Sequence, residues 1–482
     1  MTAVTAPEPA EQAKEGEGSL RSSAMRGGIY LVVRQGLNVF LKLIGVMLIT
    51  RVLGPTEYGA YVAAFNVYLY STLIGQAGVG VYLLRHPGEV PDLAVRTCYA
   101  LLALLGIGLM LGLEASRGLL TGWTGVPGYG PVMAVMALAL PFKLITIPPT
   151  IALERALNYK RVATIEIGGD TAYYFVAVPL ALTGTGAMSL AVSLVLRELL
   201  FFVLAHYYVG HGPRFGFDGR TAKSVIRYAG TFSFANWVWQ ARMLVNPLIV
   251  GPVAGQHAVG IVGMTVGILE MLSIIKTIAW RLSVSVLGRV QSDFEKIRRA
   301  VTEGMELQII AVGSLLLGFA WFGGIAVPLV FGARWAPVMQ LYPYVALAYL
   351  AIAAFNIHSA VMSVIDRNTD LGLCYVVHIL LLGLGTWLGV RHFGMIGYGF
   401  GEMLALLAYG LVHWALARRI GSPDYRLAGL WFVAAALGLF WRQLGWWTIP
   451  LPFLALATPA SVRRIRRILE QIRKPRRAEA RA

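Results

Sequence analysis

RQGLNVFLKLIGVMLITRVLGPTEYGAY, from Arg34 to Tyr61, is the stretch whose reading decides the fold. Its first part is apolar for long enough to cross a bilayer, which takes roughly 20 residues. Yet Arg34, Gln35, Asn38 and Lys42 stand inside that run. A helix turns about 100° per residue, so Gln35, Asn38 and Lys42 lie about 100°, 40° and 80° round from Arg34. The four share one sector, and the opposite face is Val, Phe, Leu and Ile. Charged groups are costly in hydrocarbon, so they face a bundle interior or a watery cavity. The run stops at Gly54-Pro55, and a second apolar run follows Thr56-Glu57-Tyr58-Gly59. The stretch predicts a span with a cationic stripe, an abrupt turn and a second span.

The rest of the chain agrees with that reading. Of 482 residues, 57% are hydrophobic and only 13% charged, where a soluble domain carries about 25% charged residues. Apolar runs of spanning length recur from end to end. The fold class expected is an all-α polytopic membrane protein with about fourteen transmembrane helices. A barrel would show short alternating segments instead. The net charge of +17 sits in loops and tails, which is the pattern of cytoplasmic positive charge and not of a nucleic-acid binder. Arg155, Lys160, Arg161, Arg214, Arg220, Lys223 and Arg227 fall on one side of the membrane, and only Arg117, Arg334, Arg391 and Arg442 in loops on the other. Both termini are therefore expected in the cytoplasm. Cys98 and Cys374 lie in apolar runs and offer neither a disulfide framework nor a metal spacing. The polar first twenty residues lack the order of a signal peptide, and no loop is long enough to hold a soluble domain.

The chain also echoes itself. At an offset of 201 residues, 48–61 faces 249–262, so that Gly54 meets Gly255 and Gly59 meets Gly260. Transporters are often built from two such bundles with the substrate site between them. The organisation expected is a disordered cytoplasmic tail at 1–26, a six-helix lobe at 27–210, a cytoplasmic inter-lobe loop at 211–227, a second six-helix lobe at 228–420 and two additional spans within 421–461. The lobes are pseudo-symmetric around a central cavity. Residues 462–482 form a basic tail in which Val462, Ile465, Leu469 and Ile472 recur at helical spacing. That pattern suits a helix lying on anionic lipid headgroups; the simpler reading is a topology anchor.

Polar residues inside the spans are the candidate site. Arg34, Lys42, Arg197, Arg242 and Lys276 all precede the ninth span. Any one of them has a structural explanation, but together they suggest a cationic lumen and an anionic substrate. Arginine offers a rigid fork to phosphate oxygens and lysine a point charge. Glu166 and Asp170, four apart on one helix face, and Glu270 are candidates to carry a coupling proton or sodium ion; the plainer reading is that they neutralise neighbouring cations. Asn38, Asn66, Gln76, Asn236, Trp237 and Trp239 are candidates for sugar contacts. Further in-span polar groups are Lys143, Asn356, His358, His378, Glu402 and His413. Metal constellations, phosphate loops and nucleophile elbows are absent from the sequence, so no cofactor and no catalytic residue are expected.

ITRVLGPTEYGAYVAAFNVY (Ile49–Tyr68) and VLGRVQSDFEKIRRAV (Val286–Val301) carry a family resemblance. They resemble polysaccharide-export flippases of the multidrug/oligosaccharidyl-lipid/polysaccharide exporter superfamily. The resemblance implies two six-helix lobes around a V-shaped cavity, with two extra helices, in a bacterial inner membrane. It implies a substrate made of an oligosaccharide linked by pyrophosphate to a polyprenyl lipid, turned to the outer leaflet by alternating access for assembly of O-antigen, capsule or exopolysaccharide. On that reading the pyrophosphate meets Arg34, Lys42, Arg197, Arg242 and Lys276, and a polysaccharide polymerase and chain-length regulator are expected partners. Many relatives have an acid in the seventh span, where this chain has Arg242. The alternatives are a small-molecule antiporter of the same superfamily, an integral-membrane glycan polymerase or ligase, and a scaffold docking through the basic tail.

Overall fold

The structure is a computed structural model that describes residues 44–288, 293–467 and 470. Arg34, Asn38 and Lys42 lie outside the described residues. Among the described residues all regular structure is helical. In chain order the helices are α1 (Ile44–Gly75), α2 (Val79–Arg85), α3 (Asp92–Thr124), α4 (Tyr129–Ala137), α5 (Ala139–Ile145), α6 (Ile147–Arg155), α7 (Tyr159–Leu182) and α8 (Met188–Val209). They continue with α9 (Gly219–Gln240), α10 (Gly251–Leu272), α11 (Ile274–Leu287), α12 (Phe294–Phe331), α13 (Val338–Val364), α14 (Asn368–Phe393), α15 (Gly397–Ala405), α16 (Ala408–Ile420), α17 (Arg426–Leu439), α18 (Trp441–Leu444) and α19 (Leu451–Ala457).

Among the described residues, seven helical stretches are long and apolar enough to span a membrane, or eight if α1 and α2, bent by 43° at their break, are one span. Two of the seven, Phe234–Leu272 and Asn368–Ile420, have 39 and 53 residues, well beyond the roughly 20 that one crossing needs. Length and apolarity alone thus do not yield the expected number of fourteen. Large apolar side chains face outward along the helices, among them Phe175 at 79% and Ile325 at 74% exposure. Apolar exposure on that scale would be untenable in water and fits contact with lipid.

Helix starts follow local chemistry. Asp218 precedes α9 and accepts from the backbone N–H of Thr221 at 2.9 Å and from its hydroxyl at 2.7 Å. These donors hold its carboxyl below the ordinary aspartate range. Half of the stretch 211–227 is consequently helix rather than loop. Asp293 accepts from the N–H of Lys296 at 3.0 Å ahead of α12 and is lowered for the same reason.

By contact density the chain divides into two units. The first gathers residues up to Val52, Ser71–Arg117 and Pro131–Ala229; the second gathers Leu53–Tyr70, Gly118–Gly130 and everything from Gly230 onward. In the first unit, Val79, Leu83, Cys98, Leu102 and Leu144 form one apolar core and Leu153, Val162, Ile165 and Phe201 another. The second unit is built around α13, whose most apolar window is 83% buried. Alanine at 346, 348, 351, 353 and 354 lets neighbouring helices come close to it.

The division differs from a cut at the 211–227 segment, because 53–70 packs with the second unit. The echo in the sequence explains why. Gly54 and Gly255 both take left-handed backbone angles, φ 71° and φ 77°, which L side chains adopt only under strain. Five residues beyond each, Gly59 and Gly260 cross. A Cβ on Gly59 would stand 2.0 Å from the carbonyl oxygen of Gln256, and one on Gly260 would stand 2.0 Å from that of Pro55. Those two contacts are equivalent under the 201-residue offset, so the internal repeat exists in the backbone as a local two-fold. Gln256 closes it: Nε2 donates to the Thr56 carbonyl at 2.8 Å, and Oε1 accepts from the N–H of Gly128 at 3.4 Å. Trp123 Nε1 donates to the Leu248 carbonyl at 3.0 Å and draws 118–130 into the same unit.

Candidate functional site

In the second unit, α9 stops being an α-helix at Gln240. A 3₁₀ turn, Ala241–Leu244, and a wide π turn, Asn246–Val250, follow before α10. Such irregular turns inside long helices often mark functional positions. Arg242 lies in the 3₁₀ turn with only 7% exposure. Its Nη2 donates to Glu402 Oε1 at 3.3 Å, and the hydroxyl of Tyr398, one turn before Glu402 on α15, donates to the same oxygen at 2.8 Å. The guanidinium lies 5.0 Å from the Trp239 ring and 5.3 Å from the Tyr349 ring.

Tyr349, on α13, links this group to a second ion pair. Its hydroxyl donates to Glu270 Oε1 at 2.7 Å, and Lys276 Nζ stands 4.3 Å from its ring centre. Lys276 Nζ is also 3.2 Å from Glu270 Oε2. In a straight helix residues six apart point about 120° away from each other. Here α10 ends and α11 begins at Ser273, which leaves helical geometry at φ −99°, ψ 14°. The break falls between Glu270 and Lys276, and the two meet across it. Asn356, also on α13, steadies the new helix by donating to the Lys276 carbonyl at 2.7 Å and to Gln308 Oε1 at 3.0 Å.

The first unit holds another charge cluster. Arg197 Nε donates to Asp170 Oδ1 at 2.7 Å, and its Nη1 donates to Glu198 Oε1. Lys143 Nζ reaches Glu198 Oε2 at 3.3 Å. Arg197 and Lys143 both stand over the Phe201 ring, at 4.5 and 5.5 Å. Adjacent helix positions point about 100° apart, but the long arginine side chain bends back and spans that angle. Glu166, one turn before Asp170, is half-buried.

Among the sugar candidates, Trp239 stacks near Tyr375 and His378 as well as Arg242. Asn236 is exposed, and Trp237 and Gln76 are half-buried. Asn66 Nδ2 donates to the Met243 carbonyl at 3.1 Å, bracing the turn that carries Arg242. Two histidines converge where the sequence offered no reason to join them: His358 Nε2 lies 2.6 Å and His413 Nδ1 2.7 Å from the Tyr425 hydroxyl. In the tail, Arg464 is turned inward: Nε donates to Glu306 Oε2 at 2.6 Å and Nη2 stands 3.2 Å from Glu303.

Of the sequence candidates, Arg242, Lys276 and Glu270 lie in the second-unit charge cluster and Asp170 and Arg197 in that of the first unit; Tyr349 and Tyr398, which contact the second-unit cluster, are not among the candidates. The available signal for Tyr349 was a lone tyrosine in an alanine-rich span, ALAYLAIAA from Ala346 to Ala354.

A polytopic helical membrane protein with charge clusters inside its bundles is the class these features define. Residues 48–340 match the family described as polysaccharide biosynthesis protein, and the chain belongs to that family. It is 24% identical over 309 residues to the succinoglycan biosynthesis transport protein ExoT of Rhizobium meliloti (strain 1021), covering 62% of each chain. It is 23% identical over 350 residues to the lipopolysaccharide biosynthesis protein WzxC of Escherichia coli (strain K12), covering 67% of each. The aligned stretch is thus under two thirds of the length of ExoT. Among solved structures, the lipid II flippase MurJ in an inward closed conformation superposes with a TM-score of 0.67 at 12% identity, over 89% of this chain and 97% of that one. An inward-facing multidrug resistance MATE transporter of the MOP superfamily gives 0.65 at 14% identity, over 80% and 94%. The fold is thus like that of these two proteins, the all-helical architecture expected from the sequence.

Proposed function

We propose that this protein is a flippase, not an enzyme, and that it carries a polyprenyl-pyrophosphate-linked oligosaccharide from the inner to the outer leaflet by alternating access during polysaccharide assembly. Family membership and likeness to a succinoglycan transport protein support this reading. The observation that carries it is the buried pair Arg242 and Lys276, held around Tyr349 inside an apolar bundle. Charged groups held inside a membrane bundle mark candidate substrate sites even where, as here, carboxylates pair them, and a pyrophosphate fits the arginine fork and the lysine point charge.

In this proposal Trp239 and Asn236 line the approach for sugar, and Arg34 and Lys42 are further candidates for the pyrophosphate. Arg197 belongs to the cluster of the first unit, where Glu166 and Asp170 are the candidates for a coupling proton or sodium ion. The setting is a bacterial inner membrane with both termini cytoplasmic. A polymerase and a chain-length regulator receive the product, and the basic tail rests on anionic lipid. The competing reading, a small-molecule antiporter, draws on the fold shared with MATE transporters; a cationic cargo would find the acids of this cluster already taken by Arg242 and Lys276.

The test is polymer export in cells whose own copy is deleted and replaced by variants at equal expression. Arg242→Ala and Lys276→Ala should each lower export about tenfold or more, as expected when a charged hydrogen bond of roughly 1.5–3 kcal/mol is lost. Export at the wild-type level in both variants would remove the pair from the mechanism. Loss of drug resistance with unchanged polymer would favour the antiporter.

A further inference from the structure

Two carboxylates serve the two cations of the second unit, and they are held differently. Glu402 is fully buried and fixed by Arg242 and Tyr398. The Glu270 side chain is 51% exposed, while Lys276, its partner, is 12% exposed. Glu270 sits in the last turn of α10, next to the break at Ser273, and its carboxylate takes one hydrogen bond from Tyr349 and one charge contact from Lys276. An ammonium and a hydroxyl converging on an acidic oxygen are also what a phosphate oxygen requires. Glu270 thus occupies a pair of donors that would also suit a phosphate oxygen, and half of its side chain is exposed.

Resting on the flippase reading above, we infer that Glu270 is a displaceable stand-in for the substrate phosphate. In the empty site it neutralises Lys276, so no buried cation is left unpaired, a state that is costly in a low-dielectric interior. An arriving phosphate oxygen takes the Lys276 and Tyr349 donors, and Glu270 turns into the accessible space beside it. The return of Glu270 expels the phosphate at the other end of the cycle. A carrier has to bind well enough to load and weakly enough to unload, and an internal competitor supplies the second half of that requirement. Glu402 cannot act this way, because it has no accessible volume to turn into.

The probe is inorganic pyrophosphate, titrated against the purified full chain in lipid nanodiscs, with polymer export measured in parallel. Glu270→Gln keeps the shape and the Tyr349 hydrogen bond but removes the competing charge. It should bind pyrophosphate about tenfold more tightly, as when a site blocked about nine-tenths of the time is freed, and should export more slowly because release is delayed. Glu270→Asp keeps the charge and should bind as the wild type does, which separates the effect from misfolding. Lys276→Ala should bind pyrophosphate weakly in either background. If Lys276→Ala abolishes binding while Glu270→Gln binds no more tightly than wild type, the stand-in is overturned and the phosphate site survives. If neither wild type nor Glu270→Gln binds pyrophosphate, or Lys276→Ala binds as well as wild type, the phosphate site falls, and the stand-in with it.

Discussion

The two charge clusters use the same residue types to opposite ends. In the first unit, Glu198 is 1% exposed and lies between Arg197 and Lys143, while Asp170 at 8% holds the other edge of the guanidinium. Every acid there is enclosed, and the three helices α5, α7 and α8 are tied through it. Both clusters set an aromatic ring beside their two cations, but in the second unit one acid is enclosed and the other is open. Enclosed charges act as joints, since moving any one of them strands the others. A half-open charge acts as a valve, since it can leave without stranding anything but a site meant to be filled.

The largest test of this contrast is on stability. Glu198→Ala removes the acid that two cations share. Breaking a buried ion pair from one side destabilises by roughly 3–5 kcal/mol, and denaturation in detergent should show a loss of that size. A loss below about 1 kcal/mol would mean that the first cluster is not a joint. A third pairing gives a smaller case of the same logic. Glu306 is 6% exposed at its side chain and takes Arg464 from the tail. Cutting the chain after Ser461 leaves that acid without its arginine and should lower stability by about 1.5–3 kcal/mol, whereas cutting after Arg467 should not. The same pair of truncations tests the tail as a scaffold. Export lost only with the shorter chain is a folding defect, and export lost equally with both is a docking role.

Lys276→Ala should behave unlike Glu198→Ala. Glu270 is half-exposed, so losing Lys276 strands it less than losing the enclosed Glu198 strands Arg197 and Lys143. Export should fall about tenfold or more while the denaturation midpoint stays near wild type. A stability loss matching that of Glu198→Ala would erase the distinction between the clusters.

These contrasts were only partly legible in the sequence. The glycine echo was readable because backbone geometry demands glycine: Gly54 and Gly255 need left-handed angles, and Gly59 and Gly260 touch carbonyl oxygens. Arg242 and Lys276 stood out as charges in apolar runs. What stayed hidden was partnership. Glu402 lies 160 residues from Arg242 and Tyr349 lies 79 from Glu270, and no local periodicity encodes such distances. The break at Ser273 was hidden too, since one serine carries a weaker stop signal than Gly-Pro. Nor does helical spacing show which side of the tail turns inward, so Arg464 read as surface charge.

The finest test concerns the hydroxyl of Tyr349. Tyr349→Phe keeps the ring beside Arg242 and Lys276 and removes only the donor to Glu270. If that hydroxyl served Glu270 alone, its loss would loosen the competitor and tighten pyrophosphate binding. If carboxylate and phosphate exchange on the same donor, both lose it, and the two losses largely cancel. Exchange therefore predicts a pyrophosphate affinity within about threefold of wild type for Tyr349→Phe, since the two charge-assisted hydrogen bonds lost, about 1.5–3 kcal/mol each, largely offset one another. In the Glu270→Gln background the cancellation is weaker, because the amide competes less, and the same change should reduce affinity several-fold. Measuring the four constants closes a double-mutant cycle, and its coupling energy reports whether residues 270 and 349 act on the anion through one another. A cycle that closes at zero would mean that the hydroxyl and the carboxylate act independently, and that Tyr349 only props the cations apart.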